Sequence, residues 1–183
     1  MAMSAAGTMG AASFTSDIAK QTYIAGLKNA HALEKQATQL IERQLERYEN
    51  YPELSQMLRQ HALETERQMA QLEELLQSLG EERSVLKDLA TSISGNLAAI
   101  AHSVMPDEIL KNHFANHAFE NFEIASYLSL IAMAEATGHA QHVPVLRQIL
   151  AEEEKTATWL REHTGDITLK YMSLEESGQK ADR

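Results

Sequence analysis

Long stretches without proline or glycine constrain the fold of this chain more than any other feature. Only three prolines and eight glycines occur among its 183 residues. Most of them lie near the ends of stretches rich in Ala, Leu, Glu, Gln, Lys and Arg, which are good helix formers. The sequence therefore predicts an almost entirely α-helical protein.

Capping residues and prolines predict the bounds of four main helices. Their predicted ranges are Ser16 or Asp17 to about Asn50, Pro52 to Gly80, Pro106-Asp107 to Thr137-Gly138, and about Pro144 to His163, just before Gly165. Shorter extra helices are predicted over Val85–Ile93 and Ile167–Glu176. These bounds divide the chain into a flexible leader at 1–15, a helical bundle at 16–165, and a short helix with a polar tail at 166–183.

The lengths of the connections predict how the four helices are arranged. Short loops join the first helix to the second and the third to the fourth, so both pairs should be antiparallel neighbours. About 25 residues separate the second helix from the third, which is long enough to cross the bundle. This is the connectivity of an all-α, ferritin-like four-helix bundle with a long crossover connection, and it predicts an up-down-down-up order.

Composition and charge exclude several classes of function. The net charge is −10 and we find no cluster of Lys and Arg, so binding to nucleic acid or to an anionic membrane is not expected. The absence of cysteine excludes disulfide scaffolds, Cys-type zinc sites, iron–sulfur clusters and thiol catalysis. No apolar run approaches the roughly 20 residues of a membrane-spanning helix, and the opening residues lack a signal peptide's basic start, so we expect a cytoplasmic protein.

Acidic residues interrupt the inward, apolar face of every main helix near its midpoint. A bare carboxylate in such a core is costly unless it is protonated, paired or bound to a cation. The neighbouring basic residues, Lys35, Arg67, Lys111 and Lys155, lie off these faces. Two metal ions would remove the repulsion among the acids by using oxygen and imidazole ligands. The predicted metal ligands are Glu34 in the first helix, His61 and Glu64 in the second, Glu120 and Glu123 in the third, and Glu153 in the fourth.

The register of the fourth helix leaves one ambiguity. Glu152 and Glu154 flank Glu153, and a shift of one position would exchange the inward residue. For Glu153, as for Glu34, the alternative interpretation is a solvated side chain on a helix whose register differs from the predicted one.

Three further groups have both a structural and a functional interpretation. His113 and His117 have the i,i+4 spacing that can clamp a metal, although such pairs more often lie at the surface or pack in a core. His31 either supports a ligand or packs in the core. Tyr127, one turn beyond Glu123, can hydrogen-bond a ligand carboxylate or can simply be half-buried in the bundle.

Five segments carry a resemblance to a known family. They are Leu27-Lys28, Glu34-Lys35-Gln36, His61 with Glu64-Thr65, Glu120 with Glu123-Ile124-Ala125 and Tyr127, and Glu152-Glu153-Glu154-Lys155. In order and separation they resemble the YciE/YciF family of bacterial ferritin-like stress proteins over about residues 20–165. Two segments differ from the family pattern: Ala32-Leu33 replaces the common Asp-Ala, and Asn121-Phe122 stands where His-Tyr is frequent.

The resemblance implies a rubrerythrin-like bundle, a two-metal site, dimerisation and a link to stress. Together with the inward acids it predicts a di-iron or di-manganese oxidoreductase that acts on peroxide or dioxygen, or oxidises Fe(II). Glu64 and Glu123 would bridge two metals about 3.5–4 Å apart. Because the chain has no cysteine-bound electron-transfer iron, such a cycle would need an external reductant.

A non-enzymatic alternative also fits the sequence. The chain would then be a helical stress protein that acts through dimerisation or partner binding. Flexible methionines adapt to varied surfaces, and the candidates for such a surface are Met57, Met69, Met105, Met133 and Met172.

Overall fold

The computed structural model describes residues 13–81 and 107–182, and these contain helices but no strand. The helices are α1 (Asp17–Leu45), α2 (Pro52–Ser78), α3 (Glu108–Ala136) and α4 (Val143–Glu176), with a short 3₁₀ turn over Ala140–His142 before α4. The all-α prediction is confirmed. The predicted short helix over Val85–Ile93 lies outside the described residues.

Both ends of α1 follow from local hydrogen bonding. The hydroxyl of Ser16 accepts a hydrogen bond from the N–H of Ala19 and caps the start of the helix, as predicted. The helix ends at Leu45, earlier than the predicted Asn50. After Leu45 the chain forms tight turns, in which the N–H of Arg47 donates to the carbonyl of Gln44.

The prediction of a break at Gly165 is wrong, because α4 continues without interruption to Glu176. A glycine inside a helix costs only about 1 kcal/mol relative to alanine. Ile167, two residues later, is buried in an apolar cluster, and burying such a side chain contributes about 1.5–3 kcal/mol. The free energy gained by burying Ile167 therefore outweighs the cost of placing glycine inside a helix.

Contacts between side chains fix the directions of the helices. Gln44, late in α1, bonds Asn116, which lies early in α3. Glu34, earlier in α1, bonds Tyr127, which lies later in α3. These helices are therefore antiparallel, and with a short loop inside each hairpin the order is up, down, down, up, as predicted. The end of α2 and the start of α3 lie at opposite ends of the bundle, as the predicted crossover connection requires.

The apolar core has two main clusters at opposite ends of the bundle. One lies where α1 begins and contains Tyr23, Leu27, Leu72, Leu130 and Leu146 among others. The other lies where α1 ends and contains Ile41, Leu58, Ile109, Leu160 and Ile167 among others. Buried polar residues occupy the level between these clusters. The bundle thus has apolar ends and a polar centre.

None of the described helices has the length and apolar character needed to cross a bilayer.

Candidate metal centre

The polar centre of the bundle contains every residue predicted as a metal ligand. All six side chains are buried: Glu34, His61, Glu64, Glu120, Glu123 and Glu153. The ambiguity in α4 is also resolved. Glu153 is completely buried, whereas Glu152 is half-buried and Glu154 is exposed.

Four of these residues, contributed by three helices, form a compact cluster. His61 of α2, Glu120 and Glu123 of α3, and Glu153 of α4 each offer one ligand atom, and these atoms all lie within 4.8 Å of one another. Nε2 of His61 is 3.2 Å from Oε1 of Glu120 and 3.8 Å from Oε2 of Glu153. A buried group of one imidazole and three carboxylates at this spacing could hold a metal ion.

The cluster contains carboxylate oxygens without partners. Both oxygens of Glu123, and Oε2 of Glu120 and of Glu153, accept no hydrogen bond. Over the ranges 13–81 and 107–182, no lysine or arginine forms an ion pair with these three acids. An unsatisfied buried polar group costs about 1–3 kcal/mol. A bound cation would satisfy these oxygens, so the donor set fits a metal.

The pKa values of buried acids in the cluster are raised, because their charged forms are shielded from water and repelled by neighbouring carboxylates. Burial, together with the charges of Glu34 and Glu120, raises the pKa of Glu153 to about 11. Burial also raises the pKa of Glu123 well above its usual value. For His61, burial alone would lower the pKa, but the neighbouring Glu120 carboxylate reverses the shift and raises it. The centre therefore disfavours additional negative charge and favours cations.

Glu34 is held by α3 rather than by the four-residue cluster. The hydroxyl of Tyr127 donates a hydrogen bond to Oε1 of Glu34, and Oε2 has no partner. Burial raises the pKa of Glu34 to about 8, although the bond from Tyr127 acts in the opposite direction. Of the two interpretations of Tyr127, the structure shows the hydrogen bond to a candidate ligand carboxylate.

Glu64 lies beside the cluster and faces a lysine. Its Oε1 accepts a hydrogen bond of 3.1 Å from Nε2 of Gln60 and lies 3.5 Å from Nζ of Lys155. Lys155 itself lies off the inward face of α4, as predicted. Its side chain is 72% exposed, but it is long enough to reach inward to Glu64.

Two residues that orient the candidate ligands have no role in the sequence prediction. Nε2 of Gln68 donates to Oε1 of Glu153 at 2.6 Å, and Oγ1 of Thr156 is 3.2 Å from Nδ1 of His61. Metal-binding histidines commonly have such a partner on the second ring nitrogen. Their positions in the sequence could have indicated this role, since both residues follow a candidate ligand by one helical turn on an inward face.

The other candidate histidines have partners away from the cluster. His113 is buried, and its Nε2 lies 2.9 Å from the carbonyl oxygen of Leu160, a contact typical of a histidine that packs in a core. His31 is buried with Nε2 3.3 Å from Oε1 of Glu73. Neither His31 nor His113 belongs to the cluster that could hold a metal.

Fold and site together define an all-α bundle with a buried His/Glu cluster that could hold a metal ion. Residues 19–173 match the family described as "Domain of unknown function (DUF892)". The chain belongs to this family.

A curated relative supports the predicted resemblance to the YciE/YciF family. Protein YciF of Escherichia coli (strain K12) is 26% identical over 170 residues, which cover 89% of this chain and 95% of YciF. The family prediction is confirmed.

Two solved structures support the fold. The crystal structure of a protein from Xanthomonas campestris pv. campestris str. ATCC 33913 is 28% identical, with a TM-score of 0.72, and the match covers 86% of this chain and 99% of that chain. YcfI of Rhodopseudomonas palustris, thought to be a structural protein, is also 28% identical, with a TM-score of 0.62, and the match covers 81% and 97%.

Proposed function

We propose that this chain is a di-metal carboxylate protein that binds two iron or manganese ions and acts on peroxide or dioxygen, or oxidises Fe(II). The observation that carries the proposal is the cluster of His61, Glu120, Glu123 and Glu153, whose carboxylate oxygens are buried without sufficient partners. A role in bacterial stress is supported by the family resemblance alone.

Six side chains would hold the two ions. The four clustered residues would supply most of the ligands, and Glu34 and Glu64 would complete the coordination. When bound, a pair of such ions supplies electrons one at a time to an oxidant and polarises the oxygen atoms bound to it. The identity of the ligands does not distinguish iron from manganese.

The surrounding residues would keep the ligands of this site ordered. Thr156 holds the ring of His61, Gln68 holds Glu153, and Tyr127 holds Glu34. Oriented ligands bind metals more tightly, because partners of this kind are commonly worth 10- to 100-fold in affinity. The apolar clusters at both ends of the bundle limit the entry of water along its axis.

The redox step balances when Fe(II) is the substrate. Two Fe(II) ions each lose one electron, and one hydrogen peroxide takes up these two electrons and two protons to give two waters. When peroxide is reduced without Fe(II) as substrate, the two electrons must come from a second peroxide molecule, which is oxidised to dioxygen, or from an external reductant, because the chain has no cysteine for a thiolate-bound iron of its own.

An anaerobic titration with Fe(II) tests the proposal. The chelator-treated protein should bind about two Fe(II) ions, and exposure to peroxide should then produce the near-ultraviolet absorption of oxidised, oxygen-bridged iron. Glu123→Gln should weaken binding by at least about tenfold. Glu154→Gln, which changes an exposed acid beside Glu153, is the matched control and should bind like the wild type. Binding by the wild type at background level, or equal binding by Glu123→Gln, would overturn the proposal.

A second candidate function is self-association without catalysis. The exposed surface of α3 favours it. Between Phe114 and Ala132 the exposed residues of α3 carry no charge, in a chain whose residues are 23% charged. This uncharged face consists of Phe114, Ala118, Asn121, Phe122, Ala125, Leu128, Ser129 and Ala132. The methionines predicted for such a surface fit it less well. Met172 is exposed, Met57, Met69 and Met133 are half-buried, and Met105 lies outside the described residues.

We propose that two copies of the chain pair through the uncharged face of α3. With a net charge of −10, two copies repel each other wherever acidic surfaces meet. The centres of protein interfaces are depleted of charged residues and enriched in aromatic ones, as this face is at Phe114 and Phe122. Such a homodimer is compatible with the metal site, because the side chains of the face point away from the bundle centre.

A further inference from the structure

A cavity between α2 and α4 connects the protein surface with the candidate metal centre. It has a volume of about 540 Å³. Its lining includes the exposed residues Glu154 and Lys155 as well as the buried residues His61 and Thr156. The cavity therefore runs from solvent to the α2 side of the cluster.

A residue of the four-residue cluster lies on the buried side of the cavity lining. His61 lines the cavity and is only 1% exposed, and its Nε2 has no hydrogen-bond partner. This is the atom that lies 3.2 Å from Glu120 in the cluster. A ligand that moved along the cavity would therefore reach the edge of the candidate metal centre.

Glu64 is the carboxylate that joins the cavity to the cluster. Among the six predicted ligands, only His61 and Glu64 line the cavity. Glu64 lies one turn after His61 on α2, and its Oε1 is turned to Gln60 and Lys155. Glu64 is 8% exposed and His61 only 1%, so an incoming cation reaches Glu64 first.

The charges that line the cavity suit a cation. Three acids line it, namely Glu64, Glu154 and Glu162, against one lysine, Lys155. An acidic cleft with low-dielectric walls concentrates cations from solution. Lys155 is placed to oppose them, because its ammonium group occupies the position beside Glu64 that an entering cation would take.

We propose that this cavity is the entry route for a divalent cation, that Glu64 is the first carboxylate to bind it, and that Lys155 is the gate. The inference rests on the proposed function, since it assumes that the cluster binds cations. The gate opens when Nζ of Lys155 leaves Glu64. This movement is easy, because the lysine side chain is 72% exposed and its Nζ, 3.5 Å from Oε1 of Glu64, can turn into solvent.

Two other cavities of the described residues do not lead to the centre. One, of about 140 Å³, lies near Tyr51 and Ile167. The other, of about 510 Å³, lies near Tyr48 and Arg59. Neither is lined by any of the six predicted ligands.

Trp159 provides a measurement of entry that does not depend on activity. It is the only tryptophan of the chain and it lines the cavity. Paramagnetic Co(II) quenches tryptophan fluorescence at short range, and its visible absorption reports binding by the cluster. The chelator-treated full chain is mixed with Co(II) in a stopped-flow instrument. The fluorescence of Trp159 should decrease before the absorption of bound Co(II) appears, or at the same time.

Two variants perturb the route in opposite directions. Lys155→Met removes the charge of the gate and should accelerate uptake about three- to tenfold. Ala151→Phe places a large side chain at an exposed position of the lining, and should slow uptake at least about tenfold at unchanged final stoichiometry. Arg67→Met is the matched control. It changes the net charge by the same amount, but Arg67 pairs with Glu152 outside the cavity, so its uptake should stay near the wild-type rate.

The outcomes separate this inference from the proposed function. If Co(II) binds at normal stoichiometry but Lys155→Met and Ala151→Phe take it up at the wild-type rate, the entry route is wrong and the metal site stands. An equal acceleration in Arg67→Met and Lys155→Met would show an effect of net charge and would overturn the gate. Failure of the wild type to bind Co(II) at all would overturn both proposals.

Discussion

Replacing Glu34 by glutamine should stabilise the metal-free protein at neutral pH. Glutamine has the same shape as glutamate, and its amide oxygen can still accept the hydrogen bond from Tyr127. It cannot ionise, however, so the unfavourable burial of this charge disappears. The substitution therefore separates the electrostatic cost of Glu34 from its contribution to packing.

The expected magnitude follows from the pKa of Glu34, which burial raises from 4.5 to about 8. Between these two values the folded state holds a proton that the unfolded state has lost. The free energy of unfolding of the wild type therefore falls as pH rises, by about 1.4 kcal/mol per pH unit. From Glu34 alone this loss reaches about 1 kcal/mol at pH 5 and about 3 kcal/mol at pH 7. The gain from Glu34→Gln should thus be about 2 kcal/mol larger at pH 7 than at pH 5.

Urea unfolding in the presence of a chelator, followed by helical circular dichroism, measures this difference. The part of the change in unfolding free energy that comes from exchanging a neutral acid for an amide is the same at both pH values. Subtracting the value at pH 5 from the value at pH 7 therefore removes it. Glu42→Gln changes an exposed acid of the same helix and serves as the control, with a change within about 0.5 kcal/mol at both pH values. An equal gain at pH 5 and pH 7 would mean that Glu34 is charged in the folded protein, and would refute the reasoning.

Two further predictions concern packing and assembly. Gly165→Ala should raise the free energy of unfolding by about 0.5–1 kcal/mol in thermal or urea unfolding, because it adds a helix former where a Cβ meets no atom within 4 Å. Gly26→Ala should gain less, since its Cβ would lie 2.9 Å from Cδ2 of Leu130, and an equal gain at both positions would contradict the close approach of α1 and α3. Phe122→Glu should convert the proposed dimer to a monomer in light scattering coupled to size exclusion, whereas Leu169→Glu, at an exposed position of α4, should not. A wild type that is monomeric at high concentration would contradict pairing through α3.

The fold was predictable because helix length and loop length are local properties of the sequence. Few residues interrupt the helices, and a long connection between two hairpins leaves few arrangements of four helices. The error at Gly165 has a physical cause. The preference of one glycine is weak, and the burial of Ile167, which decides the outcome, depends on residues distant in sequence.

The candidate site was predictable at the level of helical faces, but not at the level of side-chain contacts. The spacing along each helix places Glu34, Glu123 and Glu153 inward, and the structure buries all three. The position of the Cα atom of Lys155 does not indicate where the end of a long, flexible side chain lies, so its contact with Glu64 could not be inferred.

The division of the core into two apolar clusters with a polar layer between them separates two tasks. Leucine, isoleucine and tyrosine side chains at the ends hold the helices together, whereas the acids at the centre contribute little to cohesion. Substitutions in the central layer should therefore alter the proposed binding of metal ions while the scaffold survives. The same architecture is a suitable starting point for engineering new coordination chemistry, because ligands can be exchanged there without redesigning the packing at either end.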